Sequence, residues 1–146
     1  AFTPNYEFIT PTDLINGTAS GKNCIRLYLT GNTSVNYGII HGPYVISADY
    51  IPLNSGQGVG FDWRAAAGGD AYDVYAYLLK DDGTTQKLLD ETQNGTSGDT
   101  GWLTVSDTVA ATGNYKFVFV SGTYDFSGGQ AVGASLYVTN ISISVA

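Results

Sequence analysis

The sequence is poor in the side chains that soft metals and nucleophilic catalysis require. Its 146 residues include one cysteine, Cys24, and one histidine, His41. A single cysteine excludes an internal disulfide, and the two residues together are too few for a zinc or copper cluster. Any metal bound by this chain is therefore expected to be held by oxygen ligands.

Positive charge is also scarce. Six Lys and Arg residues stand against thirteen Asp and Glu residues, which gives a formal net charge of −7. Nucleic acid is disfavoured as a partner because phosphate binding needs clustered cations. The sequence has neither a run of 18 apolar residues nor a basic-then-apolar amino-terminal leader, so we expect neither membrane insertion nor an export signal within it.

Sustained helical periodicity is missing, and short β-type runs separated by Gly and Asn take its place. The Asp82-Gly83 pair predicts a tight hairpin turn. About nine short strands in a chain of this length predict an all-β fold, an antiparallel β-sandwich of jelly-roll type, in a single domain over residues 1–146. The predicted strands are 24–29, 38–41, 44–51, 58–65, 73–79, 86–89, 102–105, 115–120 and 134–145.

The last predicted strand changes phase along its length. Leu136 and Val138 share one face, whereas the apolar residues within 141–145 occupy the opposite one. If both sets are buried, the strand needs a bulge or bend near Thr139 and Asn140.

Two glycine turns that carry aspartate stand beside strongly apolar runs. Gly68-Gly69 precedes Asp70 and Asp73, and Asp125 precedes Gly128-Gly129 and Gln130. Glycine lets the backbone turn with its carbonyls exposed, and aspartate supplies hard anionic oxygen, as a calcium ion requires. We expect calcium ligands at Asp70, Asp73 and Asp125, with Gln130 and Gly128 as weaker ones.

The same residues fit a structural role equally well. Asp70 can cap a turn and Asp73 can begin a strand, each satisfied by backbone N–H groups. Asp125 beside Gly128 and Gly129 has the same ambiguity. Tyr72 and Tyr124 adjoin these turns, and tyrosine can wall a shallow site because it combines an apolar face with a hydrogen-bonding tip.

Enzymatic activity is not expected. The chain lacks a nucleophile elbow, and its one histidine allows at most one Ser-His-Asp arrangement. Thirteen acids offer many carboxylate pairs for glycoside hydrolysis, but no pair is distinguished by its surroundings.

Six sequence blocks spread over more than half of the chain form a recognisable set. They are His41-Gly42-Pro43-Tyr44, Phe61-Asp62-Trp63, Gly69-Asp70-Ala71-Tyr72-Asp73-Val74-Tyr75, Gly113-Asn114-Tyr115-Lys116-Phe117-Val118, Gly122-Thr123-Tyr124-Asp125 and Gly133-Ala134-Ser135-Leu136-Tyr137-Val138. Together they resemble a module of the very long bacterial repeats-in-toxin adhesins, their calcium-dependent peptide-binding domain. The last strand departs from many relatives in having Thr139 where they place an aspartate.

This resemblance implies a monomeric module on the bacterial cell surface, excised from a larger secreted adhesin with roles in cell adhesion and biofilms. Its calcium would capture the free C-terminal carboxylate of a peptide on a host or neighbouring cell. Arg64, His41, Tyr72, Tyr124 and Gly129 are the expected ligand contacts.

Two other functions stay open at this point. One is a carbohydrate-binding module of jelly-roll type, since tyrosine-rich jelly rolls can bind glycans. The other is a structural spacer that calcium only stiffens.

Overall fold

The computed structural model describes residues 2–9 and 23–144, which form β-strands joined by turns and contain no helix. No helix in this described part is therefore long and apolar enough to cross a membrane. The strands are β1 Phe2–Ile9, β2 Cys24–Asn32, β3 Ile39–Ile46, β4 Ile51–Leu53, β5 Gly58–Ala66, β6 Ala71–Lys80, β7 Thr85–Thr92, β8 Leu103–Thr108, β9 Gly113–Tyr124, β10 Ala131–Val132 and β11 Ser135–Ile143.

The strands form two antiparallel sheets, which confirms the predicted β-sandwich of jelly-roll type. The six-stranded sheet has the order β1-β2-β11-β5-β8, with the short β10 also paired to β2. The five-stranded sheet has the order β3-β9-β6-β7, with β4 paired to β9. Some neighbours, such as β2 with β11 and β3 with β9, come from distant parts of the sequence, so loops that are far apart along the chain meet at the sheet ends.

The core lies between the sheets because their strands alternate apolar and polar residues. In β5, Phe61, Trp63 and Ala65 are buried inside, whereas the intervening residues face the opposite side of the sheet. The Phe61 ring meets that of Phe119 on β9 edge to face, with centroids 4.9 Å apart. This geometry is one that aromatic pairs favour.

Several strands differ from the sequence-based prediction, and β1 lies outside all of the predicted ranges. Residues 38–41 and 44–51 were predicted as separate strands, but β3 runs through Gly42-Pro43 with a register shift between His41 and Tyr44. A bulge carries the strand across this interruption, which the glycine and proline had marked as a break. The two-residue β10 is too short to show a period and was missed.

The predicted irregularity in the last strand is confirmed. The pairing of β11 with β5 shifts register between Thr139 and Ser142, and Asn140 has a φ of 56°. Its predicted purpose was wrong, however, because Ile141 and Ile143 are exposed rather than buried. The remaining residue of that apolar set lies outside the described residues.

Candidate functional site

The two aspartate turns meet in space through Ser127. The Ser127 hydroxyl donates to Asp70 Oδ2 over 2.7 Å, and its oxygen lies 3.5 Å from Asp125 Oδ1. Both aspartates are buried with no exposed surface. The loop after β9 is thereby joined to the loop that leads into β6.

Both carboxylate oxygens of Asp125 accept hydrogen bonds from backbone N–H groups. Tyr37 and Gln130 donate their backbone N–H groups to Oδ2 over 2.9 and 3.0 Å, and Gly128 donates to Oδ1 over 3.0 Å. Burial alone would raise the pKa of Asp125, but these donors and the neighbouring Asp70 side chain favour the charged form and hold the pKa below its ordinary value.

The donor set at Asp125 does not fit a calcium ion. A calcium ligand needs oxygen lone pairs aimed at the metal, whereas here N–H groups occupy the carboxylate from several sides. Asp70 is engaged likewise by the N–H groups of Ala71 and Ser127. Among the residues that the structure describes, no three acidic, histidine or cysteine side chains gather as a metal site would require.

Close packing against the backbone leaves no room for a side chain at Gly68 or Gly69. A Cβ at Gly68 would overlap the carbonyl oxygen of Gly133, and one at Gly69 would overlap that of Val132. Gly69 also donates its N–H to the Gly133 carbonyl over 3.1 Å. The chain between β10 and β11 therefore passes directly against this turn, and neither glycine has the positive φ of a left-handed turn.

Asp73 lies apart from this cluster, on the outer face of the five-stranded sheet. Its Oδ2 is 2.7 Å from His41 Nε2, and its Oδ1 accepts a hydrogen bond from the Thr92 hydroxyl over 2.7 Å. Gly122 makes this arrangement possible, since a Cβ there would come within 2.9 Å of the His41 ring. Asp73 is buried, whereas the His41 side chain is 56% exposed.

Two tyrosines extend this outer face along β6. Tyr75 and Tyr77 follow Asp73 in the outward phase, and their ring centroids are 5.2 Å apart. Asp90 lies opposite Tyr75 on β7. We call the resulting cleft the tyrosine cleft; it has a volume of 510 Å³ and is lined by His41, Asp73, Tyr75, Tyr77, Asp90, Thr92 and Val120.

The other predicted site residues are dispersed. Tyr72 points inward and packs against the core, and burial raises its pKa with a contribution from Glu91. Tyr124 packs edge to face on Phe126, with ring centroids 5.9 Å apart. Neither tyrosine lines the tyrosine cleft.

The remaining predicted contacts hold the turn or lie on the other sheet. Gln130 donates its side-chain amide to Asn36, and Gly129 donates its N–H to the Ser127 hydroxyl. Arg64 is on β5 of the six-stranded sheet, where it pairs with Asp99. The structure therefore joins His41 with Asp73, and Asp70 with Asp125, but not all of them in one site.

Sequence reasoning missed Tyr75, Tyr77, Asp90 and Thr92 as site residues. Tyr75 and Tyr77 fall within the predicted strand 73–79 but were not among the expected contacts. Their signal is the alternation of β6, in which Val74, Ala76 and Leu78 are fully buried. The tyrosines between them must then face outward, onto the surface of the sheet.

Comparison with solved structures supports the fold. The carbohydrate-binding module TmCBM61, solved in complex with β-1,4-galactotriose, is 12% identical over 97% of this chain and 86% of its own, with a TM-score of 0.55. The enzymatically active domain of tailspike protein 4 from bacteriophage CBA120 is 13% identical over 99% of this chain but 18% of its own, with a TM-score of 0.52.

A carbohydrate-binding module of the CBM4 type is also similar, at 14% identity over 98% of this chain and 93% of its own, with a TM-score of 0.44. No family model matches the chain, and no curated protein sequence matches it. At identities of 12 and 13%, the likeness to TmCBM61 and to the tailspike domain supports the architecture of the fold and not an activity.

Replacing Gly68 by alanine tests the packing role of the turn. Because the new Cβ overlaps the Gly133 backbone, we expect a loss of about 2 kcal/mol or more in the free energy of unfolding. For a chain of this size the melting temperature should fall by roughly 5 °C or more. Gly129→Ala is the matched control, since the nearest atom to its Cβ is 3.5 Å away. Equal melting temperatures for the two variants would contradict this role.

The pH dependence of stability tests the Asp125 network. Because the folded-state pKa of Asp125 is below the unfolded value of about 3.9, its contribution is present above that value and is lost as the pH falls through the folded-state pKa. Urea denaturation between pH 7 and pH 2 should therefore show less acid-induced loss for Asp125→Asn, which is also less stable at neutral pH. Parallel curves for the two proteins would show that Asp125 does not contribute in this way.

Proposed function

We propose that this chain is a carbohydrate-binding module that holds a glycan in the tyrosine cleft. The observation that carries the proposal is the outward pair Tyr75 and Tyr77 beside the polar group of Asp73, His41 and Thr92. The proposal takes up the carbohydrate-binding alternative raised by the sequence and assigns it to the tyrosine cleft.

The chemistry of the cleft suits a sugar. A pyranose ring has an apolar face of C–H groups that can pack on a tyrosine ring, and an edge of hydroxyls that both donate and accept hydrogen bonds. Asp73 and Asp90 supply carboxylate oxygens that accept hydrogen bonds, while the His41 imidazole and the Thr92 hydroxyl can donate or accept them. The volume of 510 Å³ lies within the range of small-ligand sites.

The rigidity of the polar end adds to this suitability. Thr92 and His41 hold both oxygens of Asp73, so the carboxylate is oriented before a ligand arrives. A preorganised group loses less conformational entropy on binding than a mobile one. The similar fold of TmCBM61, whose structure contains β-1,4-galactotriose, supports a neutral galactan as a first ligand to examine.

Binding without cleavage is part of the proposal. Asp73 and Asp90 both line the cleft, but Asp73 is engaged on both oxygens by neighbouring side chains. We therefore expect the chain to act as an attachment module of an extracellular protein, bringing that protein to a glycan surface. Calcium-dependent capture of a peptide carboxylate stays a prediction from the sequence resemblance, and the Asp70 and Asp125 geometry does not favour it.

Isothermal titration with β-1,4-galactotriose and a panel of neutral plant and microbial oligosaccharides tests the proposal. For the glycan that binds, Tyr75→Ala and Tyr77→Ala should each weaken affinity about tenfold, which corresponds to about 1.4 kcal/mol. Tyr75→Phe should retain most of the affinity because it keeps the ring that packs on the sugar.

Tyr6→Ala is the matched control, since Tyr6 is 67% exposed and lies on β1 of the other sheet. Each titration is repeated in excess EDTA and with peptides that end in a free carboxylate. A glycan affinity that is unchanged by EDTA and is weakened in Tyr75→Ala supports the proposal. Peptide binding that EDTA abolishes, with no glycan bound by the panel, would overturn it in favour of the calcium-dependent function.

A further inference from the structure

Both arginines of the sequence, Arg26 and Arg64, lie in one cleft on the outer face of the six-stranded sheet. In the register of the sheet, Tyr137 of β11 pairs with Arg26 on one side and with Arg64 on the other. The guanidinium carbons lie 5.8 and 5.1 Å from the centroid of the Tyr137 ring. We call this feature the arginine cleft; its volume is 390 Å³.

Arg64 has a donor nitrogen for which the described residues supply no acceptor. Its Nε donates to both carboxylate oxygens of Asp99 over 2.9 Å, and Nη2 also donates to Asp99. Nη1 is buried and has no hydrogen-bond partner within residues 2–9 and 23–144, and Arg64 as a whole is 8% exposed. A buried charged donor in this state favours any ligand that brings an acceptor oxygen.

Arg26 and Ser135 complete the polar lining. Arg26 donates from Nε to the Ser135 hydroxyl over 3.1 Å and from Nη1 to Glu7 over 2.9 Å. The Arg26 guanidinium also lies 4.0 Å from the centre of the Tyr28 ring. These contacts hold the second guanidinium in place beside Tyr137.

The charge of the arginine cleft differs from that of the whole chain. Arg26 and Arg64 are paired with Glu7 and Asp99, so the formal charges of the four groups cancel, whereas the chain carries −7. The hydrogen bonds from Arg64 and burial act in opposite directions on Asp99, and the bonds prevail, so the pKa of Asp99 lies below its usual value. An anion inside this cleft therefore meets no net charge from these four groups, and it finds a charged donor that Asp99 leaves unused.

We propose that the arginine cleft is a second binding site, which takes the carboxylate of an acidic sugar such as a hexuronate. A carboxylate oxygen would accept from Arg64 Nη1 in a charge-assisted bond, which is about twice as strong as a neutral one. The choice of a sugar acid rests on the proposed carbohydrate function. The two sites lie on different sheets, so one module would contact a neutral and an acidic unit separately.

Nuclear magnetic resonance titration of the whole chain with digalacturonic acid tests this proposal, with its dimethyl ester as a neutral probe of similar shape. We expect the acid to shift the backbone signals of Arg64, Ser135 and Tyr137, and the ester to bind at least tenfold more weakly. Arg64→Lys keeps the charge but removes Nη1, so it should weaken binding of the acid at least tenfold. Equal binding of acid and ester, or an unchanged affinity in Arg64→Lys, overturns the proposal.

Three further measurements keep the result decisive. If Arg64→Lys does not fold, Arg26→Gln takes its place and should weaken binding of the acid while leaving the Arg64–Asp99 pair intact. A peptide with a free C-terminal carboxylate that shifts the same signals when digalacturonic acid does not would overturn the assignment to a sugar. Titration with neutral galactobiose, followed through the backbone signals of Tyr75 and Tyr77, reports separately on the tyrosine cleft. Failure of one site can therefore be distinguished from failure of the other.

Discussion

The two-residue period of β6 fixes the proposed binding face. Val74, Ala76 and Leu78 are fully buried against the core, and a register slip of one residue would expose all three. Because burying such side chains stabilises the fold by about 1–3 kcal/mol each, the register is strongly determined. Asp73, Tyr75 and Tyr77 have no alternative to the outer face. The core packing thus places the side chains that are available for binding.

The neighbouring strand β9 also forms part of the tyrosine cleft. Because Gly122 has no side chain, the His41 ring has room to reach Asp73, and Val120 adds an apolar side chain to the lining of the cleft. The Asp70–Ser127–Asp125 cluster secures the loops at the ends of β6 and β9. In this account the paired aspartate turns have a structural role. They hold strand ends in position, and Asp73, Tyr75 and Tyr77 of the proposed site lie two to six residues beyond the start of β6 at Ala71.

Much of the architecture could be predicted from the sequence, because the apolar–polar alternation of a strand and the residues of a turn are both local features of the chain. The sandwich and most strands follow from alternation and glycine placement, whereas the bulge near Asn140 was predicted from a burial of Ile141 and Ile143 that the structure does not show. The site did not follow, because alternation places Tyr75 and Tyr77 on one face of β6 but does not show that β3 and β7 bring His41, Asp90 and Thr92 beside them. The structural role of Asp70 was anticipated as an alternative, but its link to Ser127 joins residues 57 positions apart. No local pattern encodes such a contact.

The most direct test of the account is a crystal structure of the chain with its best-binding neutral oligosaccharide, grown in the presence of calcium. We predict a sugar ring packed on Tyr75 or Tyr77, with hydroxyls bonded to Asp73 or Asp90, and Asp125 still bonded to its backbone N–H groups. A ligand held instead by a calcium ion at Asp70 and Asp125, with the tyrosine cleft empty, would contradict it.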